Sequence, residues 1–148
     1  MAITLANVRT NTYTTFYNHL QTGAYAISTD NIHPSYNRLQ RIQEDYPQVI
    51  INEPIVGSAT KLTTGRSNNV WEFPITVNID IYEDSALDAK ALADEIMNKL
   101  ITGRSELSNA GFKRLRFESD TVDVEPYSQV KTLHTYTVSV SGIYKVSA

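Results

Sequence analysis

The feature that most constrains this chain is an unbroken two-residue alternation across residues 70–82. Large apolar residues take every second position and mostly polar residues take the others, which is the pattern of an antiparallel strand with one buried face. A shift of one residue would expose the whole apolar set, so the register of this strand is fixed. The apolar positions are Trp71, Phe73, Ile75, Val77, Ile79 and Ile81.

Pro74 limits how this strand can pair. Proline has no N–H donor, so we expect the first half of the strand to lie at a sheet edge or to project past the sheet. Residues 59–64 have the pattern of a hairpin partner, joined to the strand through residues 65–69. The sequence therefore predicts a long projecting β-hairpin, with unpaired edge groups that a neighbouring subunit can cover.

Two segments have the spacing of amphipathic helices. The first covers residues 7–22, with Asn7 as its N-cap and Gly23 as its C-terminal glycine. The second begins after the N-cap Ser85 and ends at Gly103. Their apolar stripes are Tyr13, Phe16, Tyr17 and Leu20 in the first helix, and Ala89, Leu92, Ala93, Ile96, Met97 and Leu100 in the second.

Further extended segments complete the predicted sheet. The additional strands cover residues 25–28, 48–52, 112–117, 122–125 and 133–146. Residues 29–37 and 105–111 have the composition of loops and turns, and Gly142 marks a bulge or a close helix approach. The order of elements predicts an α+β fold in one domain over residues 1–148, with a mainly antiparallel sheet of four to five strands packed by two helices.

Composition excludes several classes of function. With 13 Lys and Arg against 16 Asp and Glu, the net charge of −3 lacks the basic excess of a nucleic-acid-binding protein. The absence of cysteine excludes a disulfide scaffold, a thiol nucleophile, a cysteine-ligated zinc and an iron–sulfur site. No apolar run is long enough to span a bilayer, and the N-terminus lacks a signal-peptide pattern. We therefore expect a soluble, cytoplasmic protein with no membrane partner.

The residues that carry chemistry form no recognisable catalytic, cofactor or metal motif. His19, His33 and His134 are not spaced as metal ligands. Acidic residues cluster around Glu83 and after Glu118, and we interpret them as helix-dipole partners and a solvated face. The alternative is a small enzyme that uses them with a divalent ion. We predict a protein that is not an enzyme and that binds no cofactor or metal.

A short basic cluster, Lys113, Arg114 and Arg116, lies in a predicted strand. We interpret it as a solvated strand face, and the alternative is contact with phosphate or with an acidic protein surface. Given the net negative charge of the chain, an acidic protein edge fits such a contact better than nucleic acid does.

Several segments together resemble the tail terminator (tail completion) proteins of long-tailed bacteriophages. They are Tyr46-Pro47-Gln48-Val49-Ile50, the strand that ends in Ile79-Asp80-Ile81-Tyr82, the helix that contains Leu92-Ala93-Asp94, and the last long strand. The resemblance spans residues 46–146.

This resemblance implies a structural virion protein. Such proteins form a ring, usually of six subunits, that caps the head-proximal end of the tail tube, stops tube polymerisation and docks the head connector. The implied partners are further copies of the chain, the tail tube protein and the neck protein of the head connector. DNA would pass through the lumen without specific binding. The implied location is the tail or neck of the virion, after assembly in the host cytoplasm; the alternative is another neck or tail component, such as a head-completion or tube protein.

The resemblance also suggests which residues make contacts. The residues predicted to contact a neighbouring subunit or the tube are Arg66, Asn68, Asn69, Trp71 and Phe73. An ordinary core position is the alternative for Trp71 and Phe73. The acidic residues predicted to face the lumen are Glu83, Asp84 and Glu118.

Overall fold

The alternating segment forms the central strand of a sheet in the computed structural model, which describes residues 5–21, 32–34, 48–61, 70–83, 85–126 and 132–147. In chain order the elements are α1 (Leu5–Gln21), β1 (Ile32–Pro34), β2 (Gln48–Ile51), β3 (Ile55–Val56), β4 (Thr60–Lys61), β5 (Val70–Glu83), α2 (Ala86–Thr102), α3 (Arg104–Asn109), β6 (Phe112–Pro126) and β7 (Thr132–Ser147).

The strands form one mainly antiparallel sheet in the order β1-β2-β5-β7-β6. β3 and β4 also pair with β5, beside its first half, and only β1 and β2 are parallel among the described pairs. β5 and β7 pair without a break from Val70 opposite Ser147 to Glu83 opposite His134. The predicted α+β class, with a mainly antiparallel sheet packed by helices, is confirmed.

One face of the sheet holds the hydrophobic core. Phe73, Ile75, Val77, Ile79 and Ile81 of β5 are buried in the same cluster as the inward residues of the helices. The register that the alternation predicts for β5 is therefore confirmed.

The second predicted helix, α2, is also confirmed. The backbone N–H of Asp88 donates to Oγ of the N-cap Ser85 at 3.4 Å. The N–H of Gly103 donates to the carbonyl of Lys99 at 3.0 Å, which ends the helix. Ala89, Leu92, Ala93, Ile96 and Leu100 are buried, and Met97 packs against the core.

The start of α1 corrects one prediction. The helix begins at Leu5, so Asn7 lies within its first turns and is not its N-cap. The apolar stripe continues back to the buried Val8. The buried Thr12 is satisfied because its Oγ1 donates to the Val8 carbonyl at 2.7 Å.

Several other segments differ from the predictions. The predicted loop at 29–37 contains β1, and the predicted turn at 105–111 contains α3, which buries Leu107. The predicted strands 112–117 and 122–125 are one strand, β6. These elements depend on pairing or packing with distant residues, which local periodicity does not record. Gly23 and the predicted strand at 25–28 lie outside the described residues.

Pro74 does not lie at a bare edge, which corrects the expected projection of the hairpin. The first half of β5 pairs with β7 on one side and with β3 and β4 on the other. The N–H of Gly57 donates to the Pro74 carbonyl at 2.7 Å. The side of Pro74 that lacks an N–H donor therefore faces the gap between β3 and β4. The predicted hairpin partner is confirmed at Thr60 opposite Glu72, and residues 62–69 lie outside the described part of the chain.

Gly142 lies opposite a bulge, although the extra residue belongs to β6. The register of β6 shifts between Lys113 and Arg116, and Arg114 takes the left-handed conformation with φ 54°. A Cβ on Gly142 would lie 2.7 Å from Leu115 Cδ2 and 2.8 Å from the Lys113 carbonyl oxygen. The close approach that Gly142 permits is therefore that of a strand.

We expect Gly142→Ala to lower the free energy of unfolding by about 1–3 kcal/mol, because the new methyl group meets a backbone oxygen that cannot rotate away. Urea unfolding measures the change. The matched control is Ser141→Ala, one residue away on the other face of the same strand. Equal stability of the two variants would contradict the packing argument.

Candidate functional site

The candidate site is the face of the sheet opposite the core. The helices bury their apolar residues with the odd-numbered positions of β5, so its even-numbered positions face away from them. Glu72, Thr76, Asn78 and Asp80 are half-buried on that side, and Pro74 is exposed. We call this surface, with the residues of β7 and β6 in register with it, the polar face.

Side-chain hydrogen bonds cross the strands at one end of the polar face. Asp80 accepts from Thr137 Oγ1 at Oδ1, at 2.7 Å, and from Asn52 Nδ2 at Oδ2, at 2.9 Å. Asn52 therefore links the end of β2 to β5, and Thr137 links β7 to β5. In the next row, Ser139 Oγ donates to Asn78 Oδ1 at 2.8 Å. These contacts fix the polar side chains in place and hold three strands together.

The β5 and β7 positions at the centre of the polar face hold small polar side chains and no basic residue. Its rows pair Thr76 with Ser141, Asn78 with Ser139 and Asp80 with Thr137. Basic residues lie towards one end and the β6 side, where Lys113, Arg116 and Lys145 are exposed. Half-buried Ile143 adds apolar area beside them, and exposed Ile55 adds apolar area on the β3 side of the same face. The surface therefore changes along the strands from basic and partly apolar to polar and acidic.

At the other end of this face the side chains are buried. They are Gln48, Ile50, Tyr82 and Thr135. Gln48 is 1% exposed, and neither the nitrogen nor the oxygen of its side-chain amide has a hydrogen-bond partner among the described residues. A buried amide without hydrogen-bond partners costs free energy, so Gln48 lowers stability at the margin of the polar face.

The structure separates the predicted contact residues. Phe73 is 4% exposed and belongs to the core, which is the alternative that its position in the alternation allowed. Trp71 is partly buried against the core and pairs with Lys61 at the base of the β4–β5 hairpin. Arg66, Asn68 and Asn69 lie outside the described residues, so their contact role stays a prediction.

The predicted acidic lumen group does not form one surface. Glu83 is 8% exposed at the end of the core side of β5, which corrects its predicted exposure. Glu118 is exposed and is in register with Ser139 and Asn78, so it lies on the polar face. The two carboxylates are thus on opposite sides of the sheet. Asp84 lies outside the described residues.

The histidines His19 and His134 are at least partly buried. His19 is buried, and its Nε2 lies 3.1 Å from the Lys99 carbonyl oxygen at the end of α2. Its Nδ1 lies 3.5 Å from Glu106 of α3, and Gly103 leaves room for the ring. His134 is half-buried opposite Glu83. Within the described ranges, no three histidine, aspartate or glutamate side chains form a group that could hold a metal ion.

The sequence contained a signal for the polar face that the predictions left unused. The alternation in β5 places Thr76, Asn78 and Asp80 on one side, and β7 places Thr137, Ser139 and Ser141 on its own polar parity. Two long strands with small polar residues at matching positions indicate a shared polar surface once they are paired. The pairing itself was not predicted.

Comparisons with known proteins assign no family. Neither a scan against protein-family models nor a search of curated proteins gives a match to this chain. No helix in the described ranges has the length and apolar character needed to cross a membrane.

We expect Asp80→Ala to lower the free energy of unfolding by about 1–2 kcal/mol, because Thr137 and Asn52 lose their acceptor in a half-buried environment. Chemical unfolding measures the loss, and Glu118→Ala on the exposed part of the same face is the control. A double-mutant cycle with Thr137→Val isolates the pair. A coupling energy near zero would contradict the proposed link between β5 and β7.

We expect Gln48→Met to leave stability unchanged or to raise it by about 1 kcal/mol, since the unpartnered buried amide is replaced by an apolar chain of similar size. Gln48→Ala is the control, and we expect it to destabilise because it leaves a cavity. A thermal or urea titration compares the three proteins. A clear loss with Gln48→Met would show that the amide has a stabilising role.

Proposed function

We propose that the protein is a ring-forming structural component at the head-proximal end of a bacteriophage tail, where it ends tube polymerisation and docks the head connector. The proposal starts from the resemblance of residues 46–146 to tail terminator proteins. The structural observation that supports it is the polar face, whose central rows contain small hydroxyl and amide side chains and one carboxylate.

The chemistry of the polar face suits a channel for DNA. Each Lys or Arg that contacts a phosphate strengthens non-specific binding, so a wall along which DNA must slide requires few fixed positive charges. The rows of Thr76, Asn78 and Asp80 have no Lys or Arg in their β5 and β7 positions, and in β6 only the Thr76 row continues to a basic residue, Arg116. The exposed Glu118 beside them repels phosphate. We therefore assign the polar face to the lumen.

The helical side of the sheet and the β4–β5 hairpin are then left for contacts outside the lumen. A ring requires heterologous contacts that close by rotation, so two different surfaces of each subunit must meet. Trp71 is half-buried at the base of the hairpin. The predicted tip residues Arg66, Asn68 and Asn69 continue from this base in the sequence.

Electron microscopy and a measurement of the native mass test the proposal. We expect a closed ring, formed either by the purified chain or on the ends of tail tubes, and we expect tubes to stop growing at the end where the ring binds. Tubes that grow equally with and without the protein, together with no ring in either setting, would contradict the function. Open helical polymers of the chain alone would instead favour a tube protein.

A charge variant tests the lumen assignment separately. We expect Thr76→Lys to retain ring formation and to increase salt-dependent retention of DNA by the ring, because one positive charge per subunit is added to the channel wall. The matched control is Asn98→Lys, which adds the same charge to the exposed side of α2. Equal DNA retention by both variants would overturn the assignment of the polar face to the lumen.

A further inference from the structure

β6 forms a long edge of the sheet. It has 15 residues, and of the strands that the structure describes only β7 pairs with it. Lys113, Arg114, Arg116 and Glu118 are exposed along this strand. An edge strand presents unpaired N–H and C=O groups that can bond to another strand, so an edge of this length requires either protection or a partner.

The charges of β6 are divided between its two halves. The residues before Phe117 are basic, and those after it are acidic. The basic residues are Lys113, Arg114 and Arg116, and the acidic residues are Glu118, Asp120, Asp123 and Glu125. Two copies of such a strand attract each other when they run antiparallel, because each basic half then lies beside an acidic half.

The regular part of the edge is short. The register of β6 with β7 shifts between Lys113 and Arg116 and again between Thr121 and Asp123. Bulges of this kind disrupt a ladder, so regular pairing with another strand is limited to the stretch from Arg116 to Thr121.

Symmetry restricts the registers available to an antiparallel pair of identical strands. Side chains opposite each other lie on the same face of the sheet, so the twofold axis must pass beside a residue, which then lies opposite its own copy. A centre at Arg116, Glu118 or Asp120 places like charges opposite each other. A centre at Ser119 places Glu118 opposite Asp120, which is also repulsive.

A centre at Phe117 avoids every like-charge pair in this stretch. It places Arg116 of each copy opposite Glu118 of the other, and both residues lie on the polar face of the sheet. Phe117 is half-buried on the core side, so the axis brings its two copies together as a cross-strand aromatic pair.

We infer that two copies of the chain associate edge to edge through β6, antiparallel about a twofold axis at Phe117, with reciprocal Arg116–Glu118 ion pairs. This contact goes beyond the proposed ring, because a twofold contact uses the same surface on both copies and closes on itself. It is the form in which the free chain covers its long edge.

A charge exchange tests the register. The dissociation constant of the dimer is measured by analytical ultracentrifugation for the wild type, Arg116→Glu, Glu118→Arg and the double variant. Each single reversal turns two attractive pairs into two repulsive ones, so we expect the dissociation constant to rise about tenfold or more. The double variant restores opposite charges at both positions and is expected to regain the wild-type value.

Controls separate this effect from net charge and from misfolding. Lys90→Glu makes the same change of charge as Arg116→Glu on the exposed side of α2 and is expected to leave the dimer unchanged. Thermal unfolding confirms that each variant is folded. A wild type that is monomeric at tens of micromolar, or a native mass that neither single reversal changes, would overturn the inference.

A crosslink gives a second, geometric test. The chain has no cysteine, so Phe117→Cys introduces one thiol per copy, opposite its own symmetry mate. Residues directly opposite on antiparallel strands have Cα atoms about 4.5–5.5 Å apart, within the range of a disulfide. We expect a covalent dimer on mild oxidation, and none from Lys90→Cys. Absence of the crosslink in a folded Phe117→Cys protein would overturn the register.

These results are independent of the proposed function. Tube capping is scored on tube ends, whereas the β6 contact is scored on the free chain, by the effect of the charge exchange on its mass and by crosslinking at Phe117→Cys. A protein that caps tubes but shows no effect of the charge exchange contradicts only the β6 contact. A dimer that responds to the exchange in a protein without tube capping contradicts only the function.

Discussion

The pairing of β5 with β7 is the interaction on which the rest of the structure depends. It runs through 14 residue pairs without a break, so it fixes the side-chain alternation of both strands at once. β2, β3 and β4 attach to the free side of β5, and β6 attaches to the free side of β7. Both faces of the sheet are therefore defined by one ladder, since a slip of one residue would exchange the core for the polar face.

The polar face shows that this ladder also organises hydrogen bonds between side chains. Asp80 accepts from Thr137 and Asn52, so one carboxylate joins three strands. These bonds form only because matching polar positions of distant segments meet in register. The same register brings Arg116 and Glu118 to the polar face, where the proposed channel and the inferred edge contact share a boundary.

Local periodicity predicted the parts of the fold that carry their own repeat. β5, α2 and β7 follow from alternation or helical spacing, and Ser85 and Gly103 mark the ends of α2. Local periodicity did not predict β1, α3 or the continuity of β6. β1 and α3 have only three and six residues, and the middle of β6 is polar, so these segments gain their structure from distant partners. The acidic group was predicted as one surface from proximity in sequence and composition, yet Glu83 and Glu118 lie on opposite sides of the sheet. The function remains a proposal that rests on the resemblance and on the chemistry of the polar face.

The contact of His19 with α2 has a consequence for the order of events during synthesis. His19 and Lys99 are separated by 80 residues, so α1 emerges from the ribosome long before its partner does. At ordinary translation rates this interval is roughly 4–16 s, far longer than a helix needs to form. During that time Phe16 and Leu20, both buried in the folded protein, lack the part of the core that α2 supplies. Part of the apolar face of α1 therefore stays uncovered on the nascent chain until α2 has been made.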